Sequence, residues 1–583
     1  MSGPAADTGA AGRLRRLLAG DRAALALIFL LALGLRLLYL HEVSDQPFFR
    51  TLIIDQAAYD AWAQKIAGGD WLGTEPFYQD PLYPYLLALV YKIAGRSLPL
   101  VYFLQALLSS AACLALYGAG RRYFGDRRVG LLAALFWAAY KVDFFFVGQV
   151  EKTASGIALL ILALWLLLRF RDRPRLPAAI AAGLASGLLL IYRGNFLLVA
   201  PLLLLALGIE AGRRQGRKAA APLAALALSF LVVPALTTLH NYAQSGELIV
   251  TTAQGGINLY VGNYRGNRWG AGKDPEFARR VPLYEQADFQ AEARRRAGRT
   301  LAPAQLSRFW TREAGKEIAA DPGLFLARLG RKTLLILNRH EVPDNLSYDF
   351  FRQRFSRLLR LPLPAFWLAG PFGLAGMALA LSRRRGGFLA LLVAGYAATL
   401  LATYVVSRYR LPLVPPLLLF AAYGLVEMAA AVKRRERRPA VVYLAALLVV
   451  GAVGYPRWRP PNFEQSYEKL GNAYAGQGDA TLAIASFQQA LALNPRLAGA
   501  WTGLGLAFEE SNRPEEADEA YLRAVAAAPE NAPAHFLLGR SLERKGRQAE
   551  AESEYRRALK LDPGLTRARE ALRRLPSRRP GDD

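Results

Sequence analysis

The chain has 583 residues, 53% of them hydrophobic, a formal net charge of +27 and a mean hydropathy of +0.16. Apolar runs this long and this frequent exclude a single cytosolic core and point to a polytopic membrane protein. The charge does not indicate nucleic-acid binding: residues 462–583 hold 17 Lys and Arg against 18 Asp and Glu, so the basic excess lies wholly in the apolar part of the chain and its loops.

Residues 1–22 read as a cytoplasmic tail in which Arg13, Arg15 and Arg16 precede the first apolar run. That run, residues 23–40, lacks a small-residue cleavage site and leads into further spans, so it is expected to stay as a helix and not be removed as a signal peptide. Runs such as 153–168 and 387–406 approach the ~20 apolar residues that cross a bilayer, and about eleven such spans are expected up to residue 461. Basic clusters at 121–128, 169–175, 213–218, 383–385 and 433–438 fall on alternate short loops. Because translocating Lys and Arg is disfavoured, those loops are assigned to the cytoplasm and the segments between them to the far side. The far side then holds 42–97, 141–152, 192–195, 241–362 and 407–410, and the last span carries the chain outward. For a bacterial inner membrane this makes the C-terminal part periplasmic.

Two outer segments are large. Residues 42–97 contain Asp55 and Tyr59 at the head of one amphipathic stretch, and Asp80 and Tyr83 at the head of a second that ends at Gly95. Both are expected to lie along the interface. Residues 241–362 carry too many charges to cross, contain two helical-looking stretches, and are expected to cap a cavity. The single Cys113 excludes an intramolecular disulfide, and His41, His240, His340 and His535 have no HExxH spacing, which disfavours a zinc site made by protein ligands. No phosphate loop of the Gly-Lys-Ser/Thr type is present, which argues against an ATP-driven transporter.

The C-terminal segment repeats. Pro495, Pro529 and Pro563 stand 34 residues apart, as do Leu470-Gly471, Leu504-Gly505 and Leu538-Gly539, with Tyr474, Phe508 and Leu542 on one helix of each unit and Phe487, Tyr521 and Tyr555 on the other. This resembles tetratricopeptide repeats: three helix pairs over 462–575, closed by an amphipathic helix at 565–575 and followed by a disordered tail at 576–583. The fold class expected is all-α, a transmembrane bundle followed by an α-solenoid.

The membrane part shows a second resemblance. The acidic-xxx-Tyr of Asp55 and Tyr59, the DPLYPYLLA turn at 80–88, the acid Glu151, the segment NLYVGN at 258–263 and SRYRLP at 407–412 occur in an order similar to that of the GT-C class of membrane glycosyltransferases. Within it, they resemble the dolichyl-phosphate-mannose protein mannosyltransferases and the bacterial aminoarabinose transferases, over roughly residues 20–430. The resemblance implies an inverting transfer of a sugar from a polyprenyl-phosphate carrier to an acceptor hydroxyl of a protein, glycan or lipid on the outer face, with the repeats recruiting the acceptor or a partner. The alternative is a non-catalytic scaffold whose spans anchor the repeats among membrane lipids.

Such a transfer needs a general base and fixed positive charge at the departing phosphate. Asp55 is the first choice for the base, with the N-cap of its own helix as the competing role, and Glu151 is the second carboxylate. For the donor phosphate, Arg193 and Arg408 stand out in short outer loops, followed by Lys152 and Arg410, with Tyr59 beside the base and lipid-headgroup anchoring as the competing role. Asp80, Tyr83, Asn258 and Asn263 are the weaker substrate-binding candidates, Asp80 also as a metal ligand or helix cap. The chain departs from the aminoarabinose transferases in having Ala58 and Asp80 where they carry basic residues. A divalent cation held by Asp55 and the donor phosphate stays open as a cofactor.

Overall fold

The computed structural model describes residues 21–278, 282–454 and 463–575. Most of the expected N-terminal tail and all of the C-terminal tail lie outside the described residues. Among the described residues the secondary structure is helical, apart from one isolated bridge between Ala271 and Val405. The chain divides into two compact units.

The first unit comprises the apolar helices and the long charged segment between them. Five elements are long and apolar enough to cross a membrane: Asp21–Val43, Leu98–Phe124, Thr153–Asp172, Phe196–Ser245 and Ser407–Arg434. A sixth arises if Arg127–Ala138 and Lys141–Val147, which meet at 51°, are one broken span. The expected count of about eleven is therefore not established. Leu176–Tyr192, Phe366–Ser382 and Gly387–Ala402 are apolar but only 17, 17 and 16 residues long. At 1.5 Å per residue they reach roughly 25 Å, short of a ~30 Å hydrocarbon layer. The 50-residue stretch is itself two helices, Phe196–Gln215 and Ala220–Ser245, joined by a 3-10 turn at Gly216–Ala219.

Small residues let these helices approach. A Cβ on Gly183 or Gly187 would meet the carbonyls of Leu226 and Phe230 at 2.5 and 2.6 Å, so Leu176–Tyr192 lies backbone to backbone against Ala220–Ser245. Gly373 has the same role against the Leu417 carbonyl at 2.7 Å. Deeper in the bundle Arg36 and Asp143, both fully buried, form an ion pair at 2.8 Å that Ser109 completes. The buried pair, with every nitrogen of the Arg36 guanidinium hydrogen-bonded, fixes the broken helix to its neighbours, where either charge alone would be costly.

The two amphipathic stretches of the first outer loop form the helices Asp55–Ala67 and Leu82–Ala94. The later charged segment holds more helix than the two stretches expected: Gly255–Asn263, Pro282–Ala297, Pro303–Ala320, Pro322–Leu337 and Tyr348–Arg354. Four of these start on or just before a proline or glycine that breaks the preceding helix, which hides them from a hydropathy pattern. Trp310, Phe289, Tyr260 and Ile257 form a small core of their own here.

The second unit contains the repeats and the short segment Asp45–Ile53. Helix pairs run Glu464–Ala475 with Ala480–Leu493, Ala498–Glu510 with Pro514–Ala527, and Ala532–Arg544 with Gln548–Leu561. Thr566–Arg574 closes the stack. The Leu-Gly step has a direct cause. A Cβ at Gly471 would lie 2.7 Å from the Phe487 ring, and one at Gly539 2.7 Å from the Tyr555 ring, so only glycine lets the second helix of each pair seat its aromatic residue against the first. Segment 45–53, which the sequence places in the outer loop of the membrane part, belongs to this unit: Gln477 Nε2 donates to the Pro47 carbonyl at 3.1 Å.

Candidate active site

Asp55 opens its helix directly after Ile54, whose φ of 54° and ψ of −124° are strained for a β-branched residue. The Asp55 carboxylate is buried, and its Oδ2 accepts from Asn345 Nδ2 at 2.8 Å and from Arg408 Nη1. The same Nη1 donates to Glu151 Oε1 at 2.7 Å, and Arg408 Nε pairs with Asp344. One guanidinium thus holds three carboxylates that the chain supplies from distant positions. Burial raises the Asp55 carboxyl, but the charge of Arg408, the Asn345 bond and the charge of Lys152 outweigh it and hold the group below the ordinary aspartate value. Asp55 is therefore ionised at neutral pH, as a base must be.

Asp55, Asp344, Asn345 and Arg408 line a cavity with Tyr59, Gln79, Lys152, Gln254, Tyr404 and Tyr409, with Glu151 behind Arg408. Glu285 and Asp274 stand on its wall as well. Burial, then the negative charges of Asp274 and Asp55, push the Glu285 carboxyl up to about 8. Gln254 Nε2 donates to it at 3.0 Å. At neutral pH Glu285 is a neutral acid beside an ionised one, two carboxyl groups given opposite states by their surroundings.

A second cavity, of about 340 Å³, adjoins the first and shares Lys152, Gln254, Tyr404 and Tyr409 with it. Its polar wall carries Arg193, Asp80, Asn258 and Thr251, and its apolar wall Leu197, Leu198 and Ala402. Arg193 is 4% exposed and donates from Nη1 to the Arg408 carbonyl at 3.1 Å, while its Nε and Nη2 have no hydrogen-bond partner among the described residues. An unsatisfied buried guanidinium costs free energy unless a ligand completes it. Lys152 Nζ reaches Asp80 Oδ2 at 2.6 Å, and Gly194 N donates to Asp80 Oδ1 at 3.2 Å. Asp80 accordingly ties Lys152 to the turn that carries Arg193, and does not cap its helix.

The structure gathers Asp55, Glu151, Lys152, Arg193, Arg408, Tyr59, Asp80 and Asn258 around these two cavities. It places the others elsewhere. Arg410 is 1% exposed, pairs with Glu341 at 2.7 Å, donates to the Asn338 carbonyl at 2.5 Å and stacks over Phe366. Both its terminal nitrogens are bonded within the protein, so it anchors the Ser407–Arg410 turn. Asn263 bonds the Leu259 and Ala402 carbonyls and accepts from Lys332, a bracing role. Tyr83 is buried, bonded to Gln105 at 3.2 Å and set edge-on to Tyr59, one layer behind the cavity. Asp344, Asn345, Asp274 and Glu285 escape a reading by sequence alone, because they sit in a charged segment with no periodic pattern; the run Pro343-Asp344-Asn345 is its one local sign. Among the described residues no group of three or more His, Cys, Asp or Glu side chains is arranged to hold a metal ion. Asp55 Oδ2 is committed to Arg408 and Asn345, and no step is derived through a metal ion.

No curated protein matches the chain. Among solved structures, an oligosaccharyltransferase of Archaeoglobus fulgidus, crystallised with Zn and sulfate, is 15% identical with a TM-score of 0.41 over 79% of this chain and 57% of that one. The first tetratricopeptide domain of human RPAP3 is 23% identical with a TM-score of 0.19 over 20% of this chain and 91% of that one, and MamA is 26% identical with a TM-score of 0.18 over 24% and 78%. Residues 468–532 and 506–566 match the tetratricopeptide repeat family. Residues 75–237, which contain Glu151, Lys152 and Arg193, match the dolichyl-phosphate-mannose-protein mannosyltransferase family, so this stretch is similar to that family and is followed by tetratricopeptide repeats.

Proposed function

We propose that the first unit transfers a sugar from a polyprenyl-phosphate carrier to an acceptor hydroxyl on the extracytoplasmic side, with inversion at the anomeric carbon. The observation that carries this reading is the pairing of an ionised Asp55 in one cavity with an unsatisfied Arg193 in the next, the two cavities sharing Lys152. Arg193 and Lys152 suit the donor phosphate, and the leucines beside them suit the first isoprenes of the carrier. The acceptor oxygen attacks the anomeric carbon as the bond from that carbon to the phosphate oxygen breaks. Asp55 takes the acceptor proton, and the departing phosphate leaves with the bonding electrons, stabilised by the two cations. Since a phosphate leaves without protonation, no general acid is required. The repeats recruit the acceptor or a partner protein.

The test is transfer of radiolabelled sugar from a polyprenyl-phosphate donor in membranes that contain the protein. Asp55→Asn is expected to abolish turnover at unchanged protein abundance. Full activity of that variant would remove the base assignment. Loss of function on deleting residues 463–575, with Asp55→Asn fully functional, would favour a membrane-anchored scaffold.

A further inference from the structure

A third cavity, of about 420 Å³, lies along the adjacent face of the Asp55–Ala67 helix. Asp55 and Tyr59 line the first cavity, whereas Ala58, Trp62 and Lys65 line this one, and Gln79 lines both. Its remaining wall is the irregular stretch 70–79 together with Tyr85. The lining is unusual in composition. Trp62, Trp71, Phe77, Tyr78 and Tyr85 supply rings, and Asp70, Glu75, Lys65 and Gln79 supply polar groups around them.

An exposed stretch without secondary structure is normally free to move, but this one is pinned repeatedly. Tyr85 bonds the Trp71 carbonyl, and His240 Nε2 lies 2.6 Å from the Leu72 carbonyl. Asn241 Oδ1 accepts from Phe77 N at 2.9 Å, and Ala253 N donates to the Phe77 carbonyl at 3.1 Å. The rings are fixed too: His240 stacks on Phe77 at 4.0 Å, Trp62 lies 5.8 Å from Phe77, and Lys92 stands over Trp71 at 5.4 Å. Trp71 nonetheless keeps 39% of its surface in the open. Rings held ready in this way reduce the ordering cost of a ligand.

We infer that this cavity binds sugar rings of a glycan acceptor and delivers one of its hydroxyls past Gln79 to Asp55; the inference rests on the glycosyltransferase reading of the neighbouring cavity. A pyranose offers an apolar C–H face to an aromatic ring and a rim of hydroxyls to carboxylate and amide groups, which is the combination found here. A membrane-dipping surface would not set the carboxylates of Asp70 and Glu75 beside its aromatic rings, given the cost of bringing charge into the bilayer. The order of the cavities also fits. The basic cavity suits the donor phosphate, the acidic one holds the base, and the aromatic one meets the acidic cavity at Gln79 and shares no lining residue with Arg193's cavity.

The experiment is binding of the full-length Asp55→Asn protein, purified in detergent and fluorescently labelled, to an array of oligosaccharides and of Ser/Thr-containing peptides. Binding to a subset of oligosaccharides is expected, weakened about tenfold by Trp71→Ala and partly kept by Trp71→Phe. Asp70→Asn, which leaves every ring in place, should weaken it as well. Thermal melting of each variant at the wild-type temperature excludes unfolding as the cause. Absence of oligosaccharide binding, peptide binding that Trp71→Ala removes, or loss of vesicle partition in Trp71→Ala in place of loss of glycan binding would each overturn the inference. Glycan binding that persists while Asp55→Asn retains full turnover would remove the base assignment and leave the aromatic site standing.

Discussion

Arg193 Nη1 donates to the backbone carbonyl of Arg408 at 3.1 Å, so the cation of the basic cavity and the cation that holds Asp55 are fixed to each other. Both sit in turns between apolar helices, Arg193 after Leu176–Tyr192 and Arg408 at the head of the span Ser407–Arg434. A shift of either turn alters the distance between the donor phosphate and the base. The site is coupled through backbone and guanidinium, and its variants should therefore not behave independently.

Arg408→Gln removes the guanidinium that pairs with both Asp55 and Glu151 and leaves two buried carboxylates without that ion pair. Loss of one partner of such a cluster costs about 3–5 kcal/mol, so thermal melting should fall sharply. The sign of the pH effect follows from the same pair. Arg408 holds the Asp55 carboxyl low. Without it Asp55 ionises only at higher pH, and the acidic limb of the activity profile should move upward in any folded Arg408→Gln protein. Arg408→Lys, which keeps a charge but cannot reach three carboxylates, should fall between the two in both melting and profile.

Asp55→Asn is expected to lower turnover by a factor of about 10²–10⁴, the usual contribution of a positioned base. Melting should fall modestly, because a carboxyl held below its ordinary value stabilises the fold when ionised, while the amide keeps an oxygen for the Asn345 bond. Parallel measurements of sugar transfer and melting separate this outcome from misfolding.

Arg193→Gln should raise KM for the lipid donor more than it lowers melting, because two of the guanidinium's nitrogens hold nothing inside the protein. Gly156→Ala tests the same group without changing its chemistry. A Cβ at Gly156 would lie 3.0 Å from Arg193 Nε and from the Tyr192 ring, close enough to push the guanidinium aside. Donor KM is expected to rise several-fold with the helix intact; an unchanged KM would mean that the position of Arg193 is immaterial.

How legible all this was in the sequence depended on periodicity. The repeats are legible in the sequence, since a 34-residue step repeats the same packing problem three times, a glycine under an aromatic ring. Glu151, Arg193 and Arg408 stand out in the sequence because charges are rare in short loops between apolar runs, where a polar group must be used or paired, and Asp55 stands out through the acidic-xxx-Tyr it forms with Tyr59. Arg410 satisfied the same rule and proved to be the paired kind, which only its contacts with Glu341 and three carbonyls in and just after the Pro322–Leu337 helix reveal. Asp344, Asn345 and Glu285 come from a segment whose helices are short and whose charges are many, so neither period nor rarity marks them. The span count was least legible: hydropathy cannot tell a 17-residue buried helix from a crossing one.

Glu285 offers a pH test of the acidic cavity as a whole. Its carboxyl is pushed up to about 8, whereas in the unfolded chain it would titrate near ~4.3. Between those values the folded protein holds a proton that the unfolded chain has released, so stability falls as pH rises through this window. The contribution is fully present below the unfolded value and is lost as pH passes the folded one. Glu285→Gln cannot ionise yet keeps an oxygen to accept from Gln254. The variant should melt at about the wild-type temperature near pH 4.5 and progressively above it towards pH 8, by ~3 °C or more. Parallel melting curves across that range would show that Glu285 is ionised in the folded protein. The cavity would then carry one more negative charge against Arg408 than the neutral acid assigned to it here.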